Sequence, residues 1–377
     1  MMKQIFWVFL LSAMLSCSEK ATEAIETKNI PELVVVDSLV IDRLTKPSLV
    51  DVKTDHSEYL FYDWKTSEFL RISPNGEILE SANLTGDGKN SMQAGYFVAA
   101  RYGKDNELLI QTISGTYVYD LDFRLKEKWE NNYELVTRTV GGSPGFDTNG
   151  DILYTFSIEA SDRPEIIKKE DYSIAYPFIT LRDIETYEVL QSEFIPKESQ
   201  LAKKPGYYAK LDPLVQFDAN KLYLLFPNSP ELYEYQLPEL TLVDQLDLNP
   251  EENYKLIEPA ELGSNQEFFK SLAAGEYINF TFSNGYLLTS YYSAAPKEEV
   301  EALPKEVIGG KEFMELVDLY KSTPTYQIFK GKEKLWEGDF DIKLNIIRDV
   351  IFASYLPGED PDAVEKDVQT IYFYELR

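Results

Sequence analysis

Cysteine and histidine are almost absent from this chain of 377 residues, which holds one of each, Cys17 and His56. A single cysteine cannot form an intrachain disulfide or a cysteine-based metal site. A single histidine excludes every site that needs two histidine ligands, and it weakens Ser-His-Asp hydrolysis because His56 would have to be the base. We expect His56 to be an exposed turn residue. The sequence predicts no metal and no cofactor.

Basic residues are also scarce, since 37 Lys and Arg stand against 64 Asp and Glu and give a net charge of -27. A field of this sign repels phosphate backbones, so we expect no nucleic-acid partner. It disfavours direct contact with anionic lipid in the same way. Solubility alone is a second explanation of the acidity.

No long hydrophobic run indicates a membrane-spanning helix, because the apolar stretch from Ile5 to Leu11 is too short to cross a bilayer. Lys3 precedes this stretch, and small residues follow it up to Cys17. This order is typical of a secretory signal. We therefore predict a signal peptide over residues 1–16.

The segment Met14-Leu15-Ser16-Cys17 resembles the lipobox of bacterial lipoproteins, with Met14 where the usual motif has leucine. The resemblance implies that Cys17 carries lipid and that residues 17–32 form a polar tether. We then expect a location in the bacterial cell envelope, anchored to the outer membrane on either face, with the lipid as the sole membrane contact. The alternative is a secreted protein with a chance cysteine.

Aromatic residues are plentiful at 14%, with 26 Tyr and 21 Phe, and such side chains pack well on pleated strands. Short apolar strands recur between polar turns. The clearest unit runs from Glu58 to Glu80 and contains three strands with two tight turns. Asn75-Gly76 supplies the positive φ angles that a two-residue hairpin turn requires.

Similar groups of strands begin at residues 107, 146, 221, 277 and 349. This repeat predicts an all-β fold, a six-bladed β-propeller with short helical insertions, as one domain over residues 33–377. The last unit lacks an outer strand, which residues 33–41 can supply from the N-terminus. Five or seven blades, or a pair of β-sandwiches, are the alternatives.

Two insertions, residues 251–275 and 297–322, are predicted to be helical or irregular. In the second, Phe313, Leu316, Val317 and Tyr320 fall on one helical face. We expect this stripe to be a packing face rather than a partner site, with the helix lying over one face of the propeller.

The chain resembles the six-bladed propeller lipoproteins of Bacteroidota, which are distantly NHL-like and mostly of unknown function. Cys17, the turn segments 72–77 and 146–154 and the glycine-rich loop 85–90 carry this resemblance. The loop keeps Gly86 and Gly88 but lacks the Pro and Glu that similar proteins often show there. The resemblance implies fold and location, and it transfers no catalytic residues.

Two loops have the composition of ligand sites. Residues 86–91 lack the Gly-Lys-Ser/Thr ending of a phosphate-binding loop, so we expect a connection between blades. Asp147 to Asp151 has the alternating oxygen groups of a calcium loop but no glutamate at the required distance. A hairpin turn is the preferred interpretation there.

Six residues are candidates for ligand binding. Tyrosine pairs at a channel mouth could stack on a sugar or peptide, and arginines facing the channel could bind a carboxylate in a bidentate fork. Core packing of one ring of each pair, and salt bridges of the arginines, are the alternatives. The candidates are Tyr207, Tyr208, Tyr291, Tyr292, Arg101 and Arg348.

These observations favour an envelope binding or scaffold protein that recognises a glycan, a peptide or an envelope protein on one propeller face. A carbohydrate-active enzyme, a glycoside hydrolase or polysaccharide lyase, is the main alternative, because 64 acidic residues offer many carboxylate pairs. The sequence nominates no catalytic residue.

Overall fold

The computed structural model describes residues 30–92, 97–113, 115–135, 146–208, 210–359 and 368–377. Cys17, the predicted signal peptide and most of the predicted tether lie outside these ranges. Within them the backbone forms 25 strands. In chain order the strands are β1 (Leu33–Ile41), β2 (Ser48–Val52), β3 (Tyr59–Asp63), β4 (Glu68–Ile72), β5 (Ile78–Asn83), β6 (Phe97–Tyr102), β7 (Leu108–Thr112), β8 (Gly115–Tyr119), β9 (Leu125–Glu130), β10 (Tyr133–Leu135), β11 (Phe146–Asn149), β12 (Ile152–Glu159), β13 (Ile179–Asp183), β14 (Val189–Glu193), β15 (Leu214–Asp218), β16 (Lys221–Leu225), β17 (Glu231–Gln236), β18 (Thr241–Asp247), β19 (Glu276–Ser283), β20 (Tyr286–Tyr292), β21 (Pro324–Lys330), β22 (Glu333–Gly338), β23 (Asn345–Ile347), β24 (Val350–Ala353) and β25 (Gln369–Leu376).

The strands pair into six antiparallel sheets. Five sheets follow chain order, from β2 to β5, β6 to β9, β11 to β14, β15 to β18 and β19 to β22, with β10 added beside β12. The sixth runs β23, β24, β25, β1. The first strand of each sheet contacts the first strands of both neighbouring sheets, and β23 contacts β2 to complete the circle. The protein is a mostly β, six-bladed propeller, as the repeat predicted.

The two ends of the described chain close the ring together. Strand β1 pairs with β25 along its length, from Leu33 opposite Leu376 to Ile41 opposite Gln369. Glu32 and Arg377 exchange two backbone hydrogen bonds beyond the last pair, at 2.7 and 2.9 Å. The prediction that residues 33–41 supply the missing outer strand is confirmed, and β25 is no longer an open sheet edge.

Burial explains the strand sequences. All five side chains of β3 are buried, because each middle strand is covered on both faces by neighbouring blades. Such strands are apolar throughout and do not alternate. The outer strand β5 is mostly exposed, whereas the inner strands carry polar residues such as Asp51 toward the channel.

The turn at Gly76, between β4 and β5 of the first blade, packs against the closing strand β1. Gly76 has a φ of +83°, as the hairpin prediction required, and a Cβ there would lie 2.2 Å from the carbonyl oxygen of Val40 in β1. A side chain is therefore excluded both by the backbone angle and by the approach of the neighbouring strand.

The five α-helices of the described residues lie in connections at one end of the blades, which we call the helical face. Because strands alternate in direction, links from second to third strands and links between blades share one end, while first-to-second and third-to-fourth hairpins lie at the other. The helices are α1 (Arg163–Ile166), α2 (Gln200–Lys203), α3 (Asn265–Ser271), α4 (Lys297–Ala302) and α5 (Lys311–Tyr320), with 3-10 turns at Lys104–Asn106, Tyr172–Ile174 and Lys305–Val307.

Helix α5 confirms the predicted stripe. Phe313 and Val317 are buried and pack with Val300 of α4 and Phe269 of α3. The insertion between β20 and β21 thus shares a small apolar core with the insertion before β19, on the helical face. Among the described residues, none of the helices is long and apolar enough to span a membrane.

Candidate functional site

The inner strands surround a cavity of about 650 Å³ that is lined by residues of all six blades. Trp64 and Lys343 line it and belong to connections of the helical face, where both side chains are exposed. Arg101 and Arg348 line it near the opposite ends of the inner strands. The cavity therefore opens on the helical face, and its volume is in the range of small-molecule sites.

Three inner strands carry a β-bulge in the cavity wall. The pairing registers skip Val50 in β2, Val98 in β6 and Ile278 in β19, and all three residues line the cavity. A bulge places an extra residue in one strand and redirects its side chain. The wall consequently gains apolar side chains between the polar groups of the same strands.

Two ion pairs form a floor to the cavity, which we define as Arg101, Arg348, Asp51 and Asp147. Arg348 donates from Nε to Asp51 Oδ1 at 2.8 Å and from Nη2 to Oδ2 at 3.1 Å. Arg101 Nε donates to Asp147 Oδ1 at 3.1 Å. Burial opposes the charge of Arg348, but Asp51 and Asp147 outweigh it and raise the pKa of the guanidinium. The Arg348 guanidinium is therefore held ionised.

Hydrogen bonds tie this floor to the neighbouring blades. The backbone N–H of Tyr102 donates to Asp51 Oδ2 at 2.6 Å. The side chain of Gln216 donates to the carbonyl oxygens of Phe280 and Arg348 at 2.5 and 2.6 Å. Hydrogen bonds therefore join strands of different blades at the centre of the ring. They also give the buried polar groups of the floor the partners that such groups require.

Aromatic side chains form the rim. Trp64 is 62% exposed, and its ring meets Tyr62 edge-on at 4.7 Å and lies 5.6 Å from Phe97. Tyr292 lines the cavity as well, with Lys343 Nζ 5.4 Å from its ring centroid. The rim thus offers a large aromatic surface that is supported from below and open to solvent.

Two amide side chains, Asn279 and Asn345, lie half-buried in the wall. Within the described part of the chain, neither amide makes a hydrogen bond to protein. An amide supplies both donors and an acceptor, so these side chains can bind a polar ligand without breaking an internal contact.

A buried cluster, Glu276 with Lys210 and Lys321, connects the wall to the helical insertion. Lys321 Nζ lies 2.8 Å from Glu276 Oε2, and Lys210 pairs with Oε1. Burial raises the pKa of Glu276, but the two lysines outweigh it and hold the pKa below its usual value. Burial lowers the pKa of Lys321, and the ion pair offsets only part of that effect.

The structure brings three of the six sequence candidates together and separates the others. Arg101, Arg348 and Tyr292 all line the cavity. The arginines make salt bridges with Asp147 and Asp51, the alternative that the sequence left open. Whether any of the three binds a ligand stays a prediction.

The other three tyrosines lie outside the cavity lining. Tyr291 is 1% exposed and donates to Glu337. Tyr208 is 3% exposed and donates to the Lys204 carbonyl. Tyr207 stacks on Tyr172 at 4.6 Å and donates to a backbone carbonyl. Each of these rings has a packing role, so the proposal below does not depend on them.

Sequence reasoning missed Trp64, Lys343 and the two amides. The one signal for Trp64 was its place between an apolar strand and the turn at residues 65–67, where a side chain is exposed more often than buried. Nothing in the sequence connects it with Lys343, because they are brought together by the closure of the ring.

The loops with ligand-site composition have structural roles. Asn149-Gly150 forms the turn between β11 and β12, and Asp147 contacts both floor arginines. The hairpin interpretation is confirmed. Residues 86–91 connect two blades, as expected. His56 is an exposed turn residue that pairs with Asp349 at 3.1 Å. No group of three metal-ligating side chains occurs in the described ranges.

Comparisons with known proteins agree with the architecture. No family model matches the chain, and no curated protein does. A solved member of the DUF4221 family from Bacteroides vulgatus is 12% identical with a TM-score of 0.60, over 93% of this chain and 99% of that one. A Bacteroides fragilis protein described as exported is 10% identical with a TM-score of 0.54, over 94% and 97%. At these identities the similarity shows the fold alone, a propeller shared with uncharacterised Bacteroides proteins.

Proposed function

We propose that this chain is a lipid-anchored binding protein of the bacterial envelope that holds a glycan in the cavity of its helical face. The observation that carries the proposal is Trp64, a tryptophan 62% exposed at the rim of a cavity of about 650 Å³. Its ring lies beside Tyr62 and Phe97, at 4.7 and 5.6 Å, and Trp64 and Phe97 both line the cavity. A contiguous aromatic patch at a cavity is typical of a ligand-binding groove.

The chemistry of the wall suits a sugar. The C–H face of a sugar ring packs on an aromatic ring, and its hydroxyls need donors and acceptors around the edge. Trp64 and Tyr292 supply the rings, and Asn279 and Asn345 supply the amides. A bound oligosaccharide would find both kinds of contact within one cavity.

Three carboxylates line the cavity, Asp147, Asp212 and Glu276, and two of them are held by cations. A glycosidase needs one carboxyl group as a proton donor. Asp147 contacts both floor arginines, and Glu276 contacts two lysines that lower its pKa. The two lysines favour the ionised form of Glu276, which cannot donate a proton. We therefore place a glycan-binding protein ahead of the glycoside hydrolase.

The test of the glycan is calorimetry of the full chain in detergent against oligosaccharides of three to six sugars, neutral and acidic, with short peptides in parallel. We expect an oligosaccharide to bind, and Trp64→Ala to weaken it roughly tenfold through the lost ring contact. Phe194→Ala is the matched control, because Phe194 is 51% exposed and lies outside the cavity. Binding of peptides alone would refute the proposal.

The anchor is tested separately. Cys17→Ser should move the protein from the membrane fraction to the soluble envelope fraction and abolish labelling by a radioactive fatty acid. Labelling that persists in this variant would contradict lipidation at Cys17, which is the one cysteine of the chain.

A further inference from the structure

The cavity carries more positive than negative charge, although the chain has a net charge of -27. Among the residues that the structure describes, the ionic side chains of the wall and their ion-pair partners comprise five cations and four carboxylates. They are Arg101, Arg348, Lys210, Lys321 and Lys343 against Asp51, Asp147, Asp212 and Glu276. In so acidic a protein, a cavity of this balance attracts anions that the rest of the surface repels.

Four of the five cations are already engaged. Arg101 and Arg348 hold Asp147 and Asp51 in the floor. Lys210 and Lys321 share Glu276. Their donors serve the protein itself, so a ligand would have to break a buried ion pair to use them.

Lys343 is different. No carboxylate of the described residues lies within 4.0 Å of its Nζ, the side chain is exposed, and it lines the cavity above Tyr292 at 5.4 Å from the ring centroid. The Tyr292 ring restricts the position of the Lys343 ammonium group and leaves its charge unneutralised. A cation held in place at the rim can accept an anionic group directly.

We propose that the cavity selects an acidic sugar, whose carboxylate or sulfate group binds Lys343 while the sugar ring packs on the rim aromatics. This inference rests on the proposed glycan-binding function and names the class of its ligand. The negative charge also explains how one lysine can distinguish an acidic sugar from a neutral one, because a charge-assisted hydrogen bond is about twice as strong as a neutral one.

The experiment compares matched ligands by calorimetry on the full chain. Each oligouronate is paired with its carboxyl-reduced form, and each sulfated oligosaccharide with its desulfated form, so that each pair differs only in the anionic group. We expect the acidic member of a pair to bind at least tenfold more tightly, and raising the salt concentration to reduce the difference. The pair that responds identifies carboxylate or sulfate as the group.

Variants locate the effect. Lys343→Met should weaken the acidic ligand roughly tenfold and leave its neutral counterpart unchanged. Lys330→Met is the matched control, because Lys330 also lies over a tyrosine, Tyr286, at 5.7 Å, but outside the cavity. It should change neither affinity.

The two proposals fail in different ways. Equal binding of acidic and neutral sugars, with loss in Trp64→Ala, would overturn the acidic ligand and keep the glycan site. An acidic preference that survives Lys343→Met would overturn the role of Lys343. Absence of binding by every sugar would remove the glycan function together with this inference.

Discussion

Arg348 donates two hydrogen bonds to Asp51, at 2.8 and 3.1 Å, although the two residues are 297 positions apart in the sequence. The pair joins the first strand of the last blade to the first strand of the first blade, at the seam where the ring closes. Asp51 is fully buried, so the loss of Arg348 would leave its charge with only the Tyr102 N–H, at 2.6 Å, and the more distant Arg101, at 4.0 Å.

We therefore expect Arg348→Met to lower the free energy of unfolding by about 3–5 kcal/mol, measured by urea denaturation. His56→Ala is the control, since His56 and Asp349 bridge the same two blades at 3.1 Å but are exposed. It should cost less than about 1 kcal/mol. Equal effects would show that the floor pair adds nothing beyond a surface contact.

Gly76 should not tolerate a side chain. Gly76→Ala forces a Cβ against the Val40 carbonyl at 2.2 Å and keeps a φ of +83°, so the closing strand must shift. Gly150→Ala has a φ of +57° with open space around it and should cost only the backbone strain, about 1–2 kcal/mol. The midpoint of urea unfolding should fall further for Gly76→Ala, and a reversed order would disprove the clash.

Glu231 should make stability depend on pH. Burial raises its pKa to about 7 in the folded protein, whereas the ordinary pKa in the unfolded chain is near 4.5. Between these two values the folded state keeps a proton that the unfolded chain has released. The contribution of Glu231 to the free energy of unfolding is therefore fully present below pH 4.5 and is lost, by about 3 kcal/mol, as the pH rises through 7.

Glu231→Gln removes this titration. The variant should gain stability relative to the parent between pH 5 and 8 in thermal unfolding, whereas Glu239→Gln, at an exposed position after the same strand, should run parallel to the parent. Parallel curves for Glu231→Gln would mean that Glu231 titrates normally.

Lys321 should stabilise the position of the helical insertion against the channel wall. It follows α5 directly and pairs with Glu276 of β19 at 2.8 Å. Lys321→Met leaves Glu276 with Lys210 alone, and we expect amide exchange in α5 to become roughly tenfold faster. Lys311→Met, at the exposed start of the same helix, should leave exchange near the parent rate. Unchanged exchange in Lys321→Met would show that the apolar contacts of α5 suffice.

Middle strands could be predicted from the sequence and several inner strands could not. Burial on both faces makes β3 a continuous apolar run, which is a strong signal. Inner strands such as β23 have only three residues, and β2 contains the floor residue Asp51. Polar residues that face a channel look like loop residues in sequence, so four predicted units began one strand late, at residues 58, 107, 221 and 349.

The site was predicted only in part, for geometric reasons. Arg101 and Arg348 were assigned to the channel, but their partners could not be, because sequence separation hides contacts across the ring. The pair Tyr291-Tyr292 illustrates the alternation of a strand, with Tyr291 buried and Tyr292 at the cavity. Which of the two faces the channel depends on the register of β20, which the sequence leaves open.

The pairing of β1 with β25 has a consequence for how the protein is made. Among the described strands β1 is synthesised first and its sheet partner β25 last, so the last blade cannot form until β25 has been made. Until then β1 presents unpaired backbone and valine side chains to other chains. A nascent propeller of this kind needs protection until β25 has been made, and a shortened product lacking β25 would have no sheet partner for β1.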